Sequence, residues 1–125
     1  MREERGTIAG PVTIDEPYTL WGSVGGDVTV VDGGKFYMRG SIYGNLKVAS
    51  GGRVHIYGNI SGNLTVEEGT KVIHSGNLAG DAFNNGGRLF VDATATIKGK
   101  VKTVGGETKF EPMQVVPGAK QRDAE

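Results

Sequence analysis

Cysteine is absent from this 125-residue chain, which removes disulfides, thiolate metal sites and a cysteine nucleophile at one stroke. Proline occurs only four times, and 37% of the residues are apolar, so the chain is not a disordered low-complexity tract. The two histidines fall one short of a three-histidine zinc site. No single charge sign dominates: fourteen basic and fourteen acidic residues cancel, leaving no molecule-wide field to draw in nucleic acid or an anionic membrane. No apolar run approaches the roughly 20 residues of a membrane span, and the charged start Met1–Gly6 has no apolar stretch behind it. The expected location is the cytoplasm. No Gly-x-Ser-x-Gly elbow or phosphate-loop lysine occurs.

Glycine is plentiful instead, at 22 residues against about 7% in ordinary proteins. The glycines keep a period. Gly22, Gly40, Gly58 and Gly76 are spaced eighteen apart, as are Gly26, Gly44, Gly62 and Gly80. Four blocks result, GSVGGDVTVVDGGKFYMR, GSIYGNLKVASGGRVHIY, GNISGNLTVEEGTKVIHS and GNLAGDAFNNGGRLFV. An earlier block, GTIAGPVTIDEPYTLW, matches over nine positions and then lacks two residues. Such a fixed period outranks any local assignment of helix or strand.

Inside each block apolar residues alternate with polar ones, the pattern of a half-buried strand. Ile42, Leu46, Val48, Val54 and Ile56 occupy the slots that Val24, Val28, Val30, Phe36 and Met38 fill one block earlier, and Lys35, Arg53 and Lys71 stand between them. No stretch has helical spacing. Three short strands per block, each lying beside its counterpart in the next block, give an all-β fold: a single parallel β-helix, or β-solenoid, of about six coils of about eighteen residues. The expected organisation is a charged tail at 1–5, the solenoid at 6–110 and a flexible tail at 111–125. Between residues 83 and 110 the register loosens. Asn84 takes an aliphatic slot, GGRLF comes one residue early, and ATATIKGKVKTV forms a stretched coil with Gly99 and Val101 in the glycine and apolar slots.

The runs Gly-Asn-Ile-Ser-Gly-Asn-Leu-Thr-Val and Gly-Gly-Arg-Val-His-Ile-Tyr-Gly, within a repeat over residues 6 to 110, resemble the bactofilins, bacterial polymer-forming cytoskeletal proteins. The resemblance implies a right-handed, triangular β-helix with short disordered tails. It also implies non-polar filaments, built without nucleotide by stacking terminal coils. Two features depart from the family pattern. The N-terminal residues are charged where many bactofilins carry an apolar or amphiphilic membrane-targeting segment. The irregular block from Asn84 to Thr96 interrupts the even coil spacing.

A left-handed hexapeptide-repeat acyltransferase is the enzymatic alternative, since Ile42, Val48, Val54, Ile60, Val66, Val72 and Leu78 recur every sixth residue. That fold wants a small residue after each aliphatic, and Tyr43, His55, Glu67 and Ile73 are bulky. The two histidines face opposite sides of the wall: His55 outward with Tyr37 and Ile73, His74 inward with Met38 and Ile56, where it packs as a neutral core residue. No catalytic, cofactor or metal site is expected, and the chain is not expected to be an enzyme. The column Asp27, Asn45, Asn63 and Asp81 reads as a corner ladder, with side chains bonding to each other and to backbone.

Two surfaces remain. The end coils expose unpaired backbone and a slice of core, with Ile8, Val12 and Ile14 at one end and Val101, Val104 and Phe110 at the other, and they are the expected self-assembly surfaces. The outward residues Trp21, Tyr37, Arg39, His55 and Tyr57 form a solvent-facing aromatic strip. It would suit a protein partner if the chain is a non-polymerising inhibitor, immunity or adaptor module. The expected partner is thus another copy or another protein, with neither nucleic acid nor membrane.

Overall fold

The computed structural model describes residues 2–111. The first coil comprises β1 (Arg2–Glu4), β2 (Thr7–Ile8) and β3 (Val12–Ile14). The second comprises β4 (Pro17–Leu20), β5 (Ser23–Val24) and β6 (Val28–Val30). The third has β7 (Lys35–Met38), β8 (Ser41–Ile42) and β9 (Leu46–Val48), and the fourth β10 (Arg53–Ile56), β11 (Asn59–Ile60) and β12 (Leu64–Val66). In the fifth, β13 (Lys71–His74) and β14 (Asn77–Leu78) lead into β15 (Ala82–Val91), which turns the corner unbroken into the sixth. There β16 (Thr96–Ile97) and β17 (Val101–Phe110) complete the stack.

Every strand pair is parallel, and each strand lies beside its equivalent in the next coil. Ile42 is the register partner of Ile60, and the Gly62 N–H donates to the Gly44 carbonyl at 3.0 Å. The eighteen-residue period is therefore the winding of the coil. Its exceptions are local. Val12 pairs with Val28, sixteen residues on, while Pro17 pairs with Lys35, eighteen on; the two missing residues belong to the turn between β3 and β4. Lys71 pairs with Arg88 and Ala82 with Val101, so the register slips to seventeen and then to nineteen.

Burial follows the alternation. Val24, Ile42, Ile60 and Leu78 stack in one enclosed column, and Val28, Leu46, Leu64 and Ala82 in another. Long columns of like side chains leave few voids, and each coil's apolar face is covered by its neighbours. Glycine makes the close stacking possible: a Cβ on Gly58 would collide with the Gly40 carbonyl oxygen of the coil before. Gly51, at φ +87°, supplies a left-handed corner that side chains resist.

The ends differ from the sequence expectation. Arg2–Glu4, expected as a charged tail, form β1 and pair in parallel with Tyr18–Leu20. The open edge of β4 offers hydrogen-bond partners, and charged side chains suit an edge strand because one side stays in water. At the other end the Glu111 N–H donates to the Val91 carbonyl at 2.8 Å, extending the paired backbone one residue past 110. The rest of the expected C-terminal tail, 112–125, lies outside the described residues. Among the described residues no helix is long and apolar enough to cross a membrane.

Candidate functional site

The outward side of the sheet containing β4, β7, β10 and β13 carries the richest side-chain chemistry. Along a strand, every second residue faces out, so three outward columns run parallel to the coil axis. The column nearest the β5–β8–β11 side contains Trp21, Arg39, Tyr57 and Ser75. Its side chains interleave: the Arg39 guanidinium lies 5.2 Å from the Trp21 ring centroid and 4.3 Å from that of Tyr57. Arg5 extends the ladder on the far side of Trp21, also at 5.2 Å. Each such contact is worth about 0.5–1 kcal/mol at an exposed site. Glu3 orients the outer end, accepting from the Trp21 indole N–H at 3.2 Å and pairing with Arg5 at 3.4 Å. Trp21 and Tyr57 remain exposed at 43% and 40%, so the ladder orders the rings without covering them.

The middle column holds Thr19, Tyr37, His55, Ile73 and Phe90. Here the expectation of a fully solvent-facing strip needs correction. Thr19 is buried beneath the first coil, and Tyr37 and His55 are half-buried, because neighbouring rungs stand only about 4.8 Å apart and crowd bulky side chains. His55 stacks on Tyr57 with centroids 4.0 Å apart, and the Tyr57 hydroxyl lies 3.0 Å from its Nδ1. Burial first, and then the nearby Arg39 charge, hold the His55 pKa below its ordinary value, against a weaker pull from Asp92. Asp92 is itself lowered, mainly by the Thr94 backbone N–H at 2.7 Å, then by the Thr94 and Ser75 hydroxyls, each at 2.8 Å. Ser75, Asp92 and His55 do not form a relay: Ser75 bonds to Asp92, and His55 to Tyr57.

The third column, Lys35, Arg53, Lys71 and Arg88, was visible in the sequence only as polar positions between apolar ones. Register places all four side by side on successive rungs.

His74 is fully buried in the core, as its inward slot requires. Its Nε2 lies 3.1 Å from the Thr96 carbonyl, while Nδ1 has no hydrogen-bond partner among the described residues. Desolvation, outweighing the Thr96 hydrogen bond and the Asp92 charge, lowers its pKa, so the neutral Nε2–H form donates to Thr96 and ties β13 to the coil above. The two histidines thus sit on opposite sides of the wall.

The Asp/Asn corner column is a ladder of backbone capping. Asp27 Oδ1 accepts from the Asn45 N–H, Asn45 Oδ1 from Asn63 N–H, Asn63 Oδ1 from Asp81 N–H, and Asp81 Oδ1 from Lys100 N–H, each at 2.8 Å. These oxygens face backbone donors.

At the ends, β2 and β16 terminate one sheet and β1 and β3 terminate the other, while β17 pairs only with β15. A hollow of about 270 Å³ opens at the first coil, lined by Ile8, Val12, Ile14 and Glu4 among others. Its counterpart of about 300 Å³ opens at the last, lined by Val91, Ile97, Val101 and Phe110 among others. Ile8, Val12 and Val101 are partly buried against the core. Ile14, expected to lie open, is buried to 2% exposure and forms only the floor of its hollow. Val104 and Phe110 stand out at 71% and 58%. No family model, curated protein or solved structure matches the chain.

Proposed function

We propose that this chain is a bactofilin-like structural protein that assembles end to end into a cytoplasmic cytoskeletal scaffold, with no catalytic step of its own. The observation that carries the reading is the openness of both ends. Among the described residues, the terminal strands β1, β2, β3, β16 and β17 each have one neighbour, and the core opens into a hollow at either end. Unpaired backbone beside exposed apolar side chains such as Val104 and Phe110 is a ready template for another coil. Among the described residues, the wall between the ends offers no comparable opening to the core, since every strand there is paired on both sides. The assembly uses the forces that hold one coil on the next, backbone hydrogen bonds and apolar burial.

Light scattering and electron microscopy of the purified protein over a concentration series test this. Filaments or large linear oligomers are expected, and Val12→Arg and Phe110→Lys are expected to dissolve them without unfolding the monomer. A strict monomer at high concentration counts against the scaffold. A second reading, a non-polymerising module that presents its side wall to another protein, is favoured by the exposed Trp21–Arg39–Tyr57 ladder. It predicts a monomer whose capture of a partner is lost in Trp21→Ser and Tyr57→Ser.

A further inference from the structure

The cation column stands apart from the rest of the wall, because stacking like charges on successive rungs is costly. Lys35, Arg53, Lys71 and Arg88 are all exposed and occupy four consecutive rungs. Among the described residues none of them forms an ion pair. Directly cross-strand like charges destabilise a sheet, so the column is a cost to the isolated fold. It ends abruptly: Pro17 takes the next position on one side and Glu107 on the other. Three rung steps of roughly 4.8 Å make it about 14 Å long.

Beside it run open grooves whose opposite wall is apolar and aromatic. One, of about 140 Å³, lies between Lys35, Arg53 and Lys71 on one flank and Tyr37, His55 and Ile73 on the other. A second, of about 310 Å³, continues it between Lys71 and Arg88 and Ile73 and Phe90. The fitting ligand is a linear chain with anions along one edge and apolar groups along the other.

We infer that this face binds an extended segment of a partner protein in which acidic and apolar residues alternate. In an extended strand successive side chains point to opposite sides, so the carboxylates meet the cation column while the apolar side chains meet Tyr37, His55, Ile73 and Phe90. About five residues, at roughly 3.3 Å each, cover the column. Two observations favour a peptide over a single-stranded nucleic acid. Base stacking needs free ring faces, whereas His55 is stacked on Tyr57 and the Lys35 ammonium lies 5.8 Å from the Tyr37 centroid. Moreover, Asp32, Glu67 and Glu68 sit in the turns that lead into this face and repel a phosphate chain, which cannot space its charges to avoid them. A peptide can.

The inference goes beyond end-to-end assembly and does not depend on it, because the groove lies on the side wall. Fluorescence anisotropy with the full chain tests it, using a labelled decapeptide of alternating glutamate and valine. A serine–valine decapeptide and a deoxythymidine decamer serve as comparisons. The glutamate peptide should bind more tightly than both, and its affinity should fall with added salt. Charge reversal in R53E/K71E should weaken binding about tenfold, while K47E on the adjoining face leaves it unchanged; thermal melts confirm that both variants remain folded. Equal affinity for the serine peptide, equal loss in K47E, or preference for the deoxythymidine decamer overturns the proposal. Filaments or their absence in the scattering experiment leave this outcome untouched.

Discussion

The middle coils and the last two obey the same winding but fill their cores differently. From β5 to β14 the register is eighteen throughout, and the inward strand slots hold apolar side chains until His74. In β15 and β17 the register shifts twice, and the slot of Val48 and Val66 is taken by Asn84, fully buried. Asn84 replaces apolar packing with hydrogen bonds. Its Oδ1 accepts from the Gly86 and Gly87 N–H groups at 3.1 and 2.9 Å, and its Nδ2 lies within 3.1 Å of the Gly87 and Glu107 carbonyls and the Thr108 hydroxyl. A corner one residue shorter leaves two backbone donors pointing inward, and the amide answers them. Regular repetition thus stabilises by burial, and an irregular coil survives only where a polar side chain satisfies the backbone it disturbs.

Breaking the regular half should cost most. Leu64→Ala, at a fully buried position, is expected to destabilise by about 2–5 kcal/mol in urea unfolding. In the irregular half, Asn84→Val restores the aliphatic of the preceding coils yet strands the Gly86 and Gly87 donors, and it should cost about 1–3 kcal/mol. A stabilising Asn84→Val would remove the distinction between the two halves.

Acid should sharpen the comparison next. The His74 pKa in the fold lies below 6.5 because burial disfavours its charge, so below pH 6.5 the unfolded chain binds a proton that the native one does not. Stability is therefore complete above that pH and falls as the pH drops towards the native value, by at most about 1.4 kcal/mol per pH unit from this group. His55, lowered in the same direction, adds to the slope with a smaller share because it is only half-buried. In His74→Leu the slope should flatten, as read from urea midpoints at several pH values. The last effect belongs to the surface: Trp21→Ser removes two exposed cation–π contacts, with Arg5 and Arg39, and should cost about 1–2 kcal/mol.

Much of this was legible in the chain itself, for physical reasons. The Gly22 and Gly26 columns, the inward aliphatics, the two-residue deficit before Pro17 and the early GGRLF all follow from one period, since a coil cannot change length without moving every later residue. The Trp21–Arg39–Tyr57 contact and the capping ladder from Asp27 to Asp81 follow from the same arithmetic. The pairing of Arg2–Glu4 was not legible, because charge composition says nothing about an available edge. Neither was the burial of Thr19 and Ile14, which depends on that added strand and on the depth of the first hollow. The period also lines up Lys35, Arg53 and Lys71, and the one-residue slip moves only the fourth member of that column, Arg88, out of the eighteen-residue count.

The stacking itself admits a direct measurement, aided by the lack of native cysteine. Thr13 and Lys102 lie on one outward column, linked rung by rung through Thr29, Lys47, Thr65 and Phe83. Nitroxide labels on T13C and K102C, read by double electron–electron resonance in the dilute protein, should give one narrow backbone separation of about 24 Å, five steps of roughly 4.8 Å. A separation half as long again, or a broad spread of distances, would contradict the coil and every surface built on it.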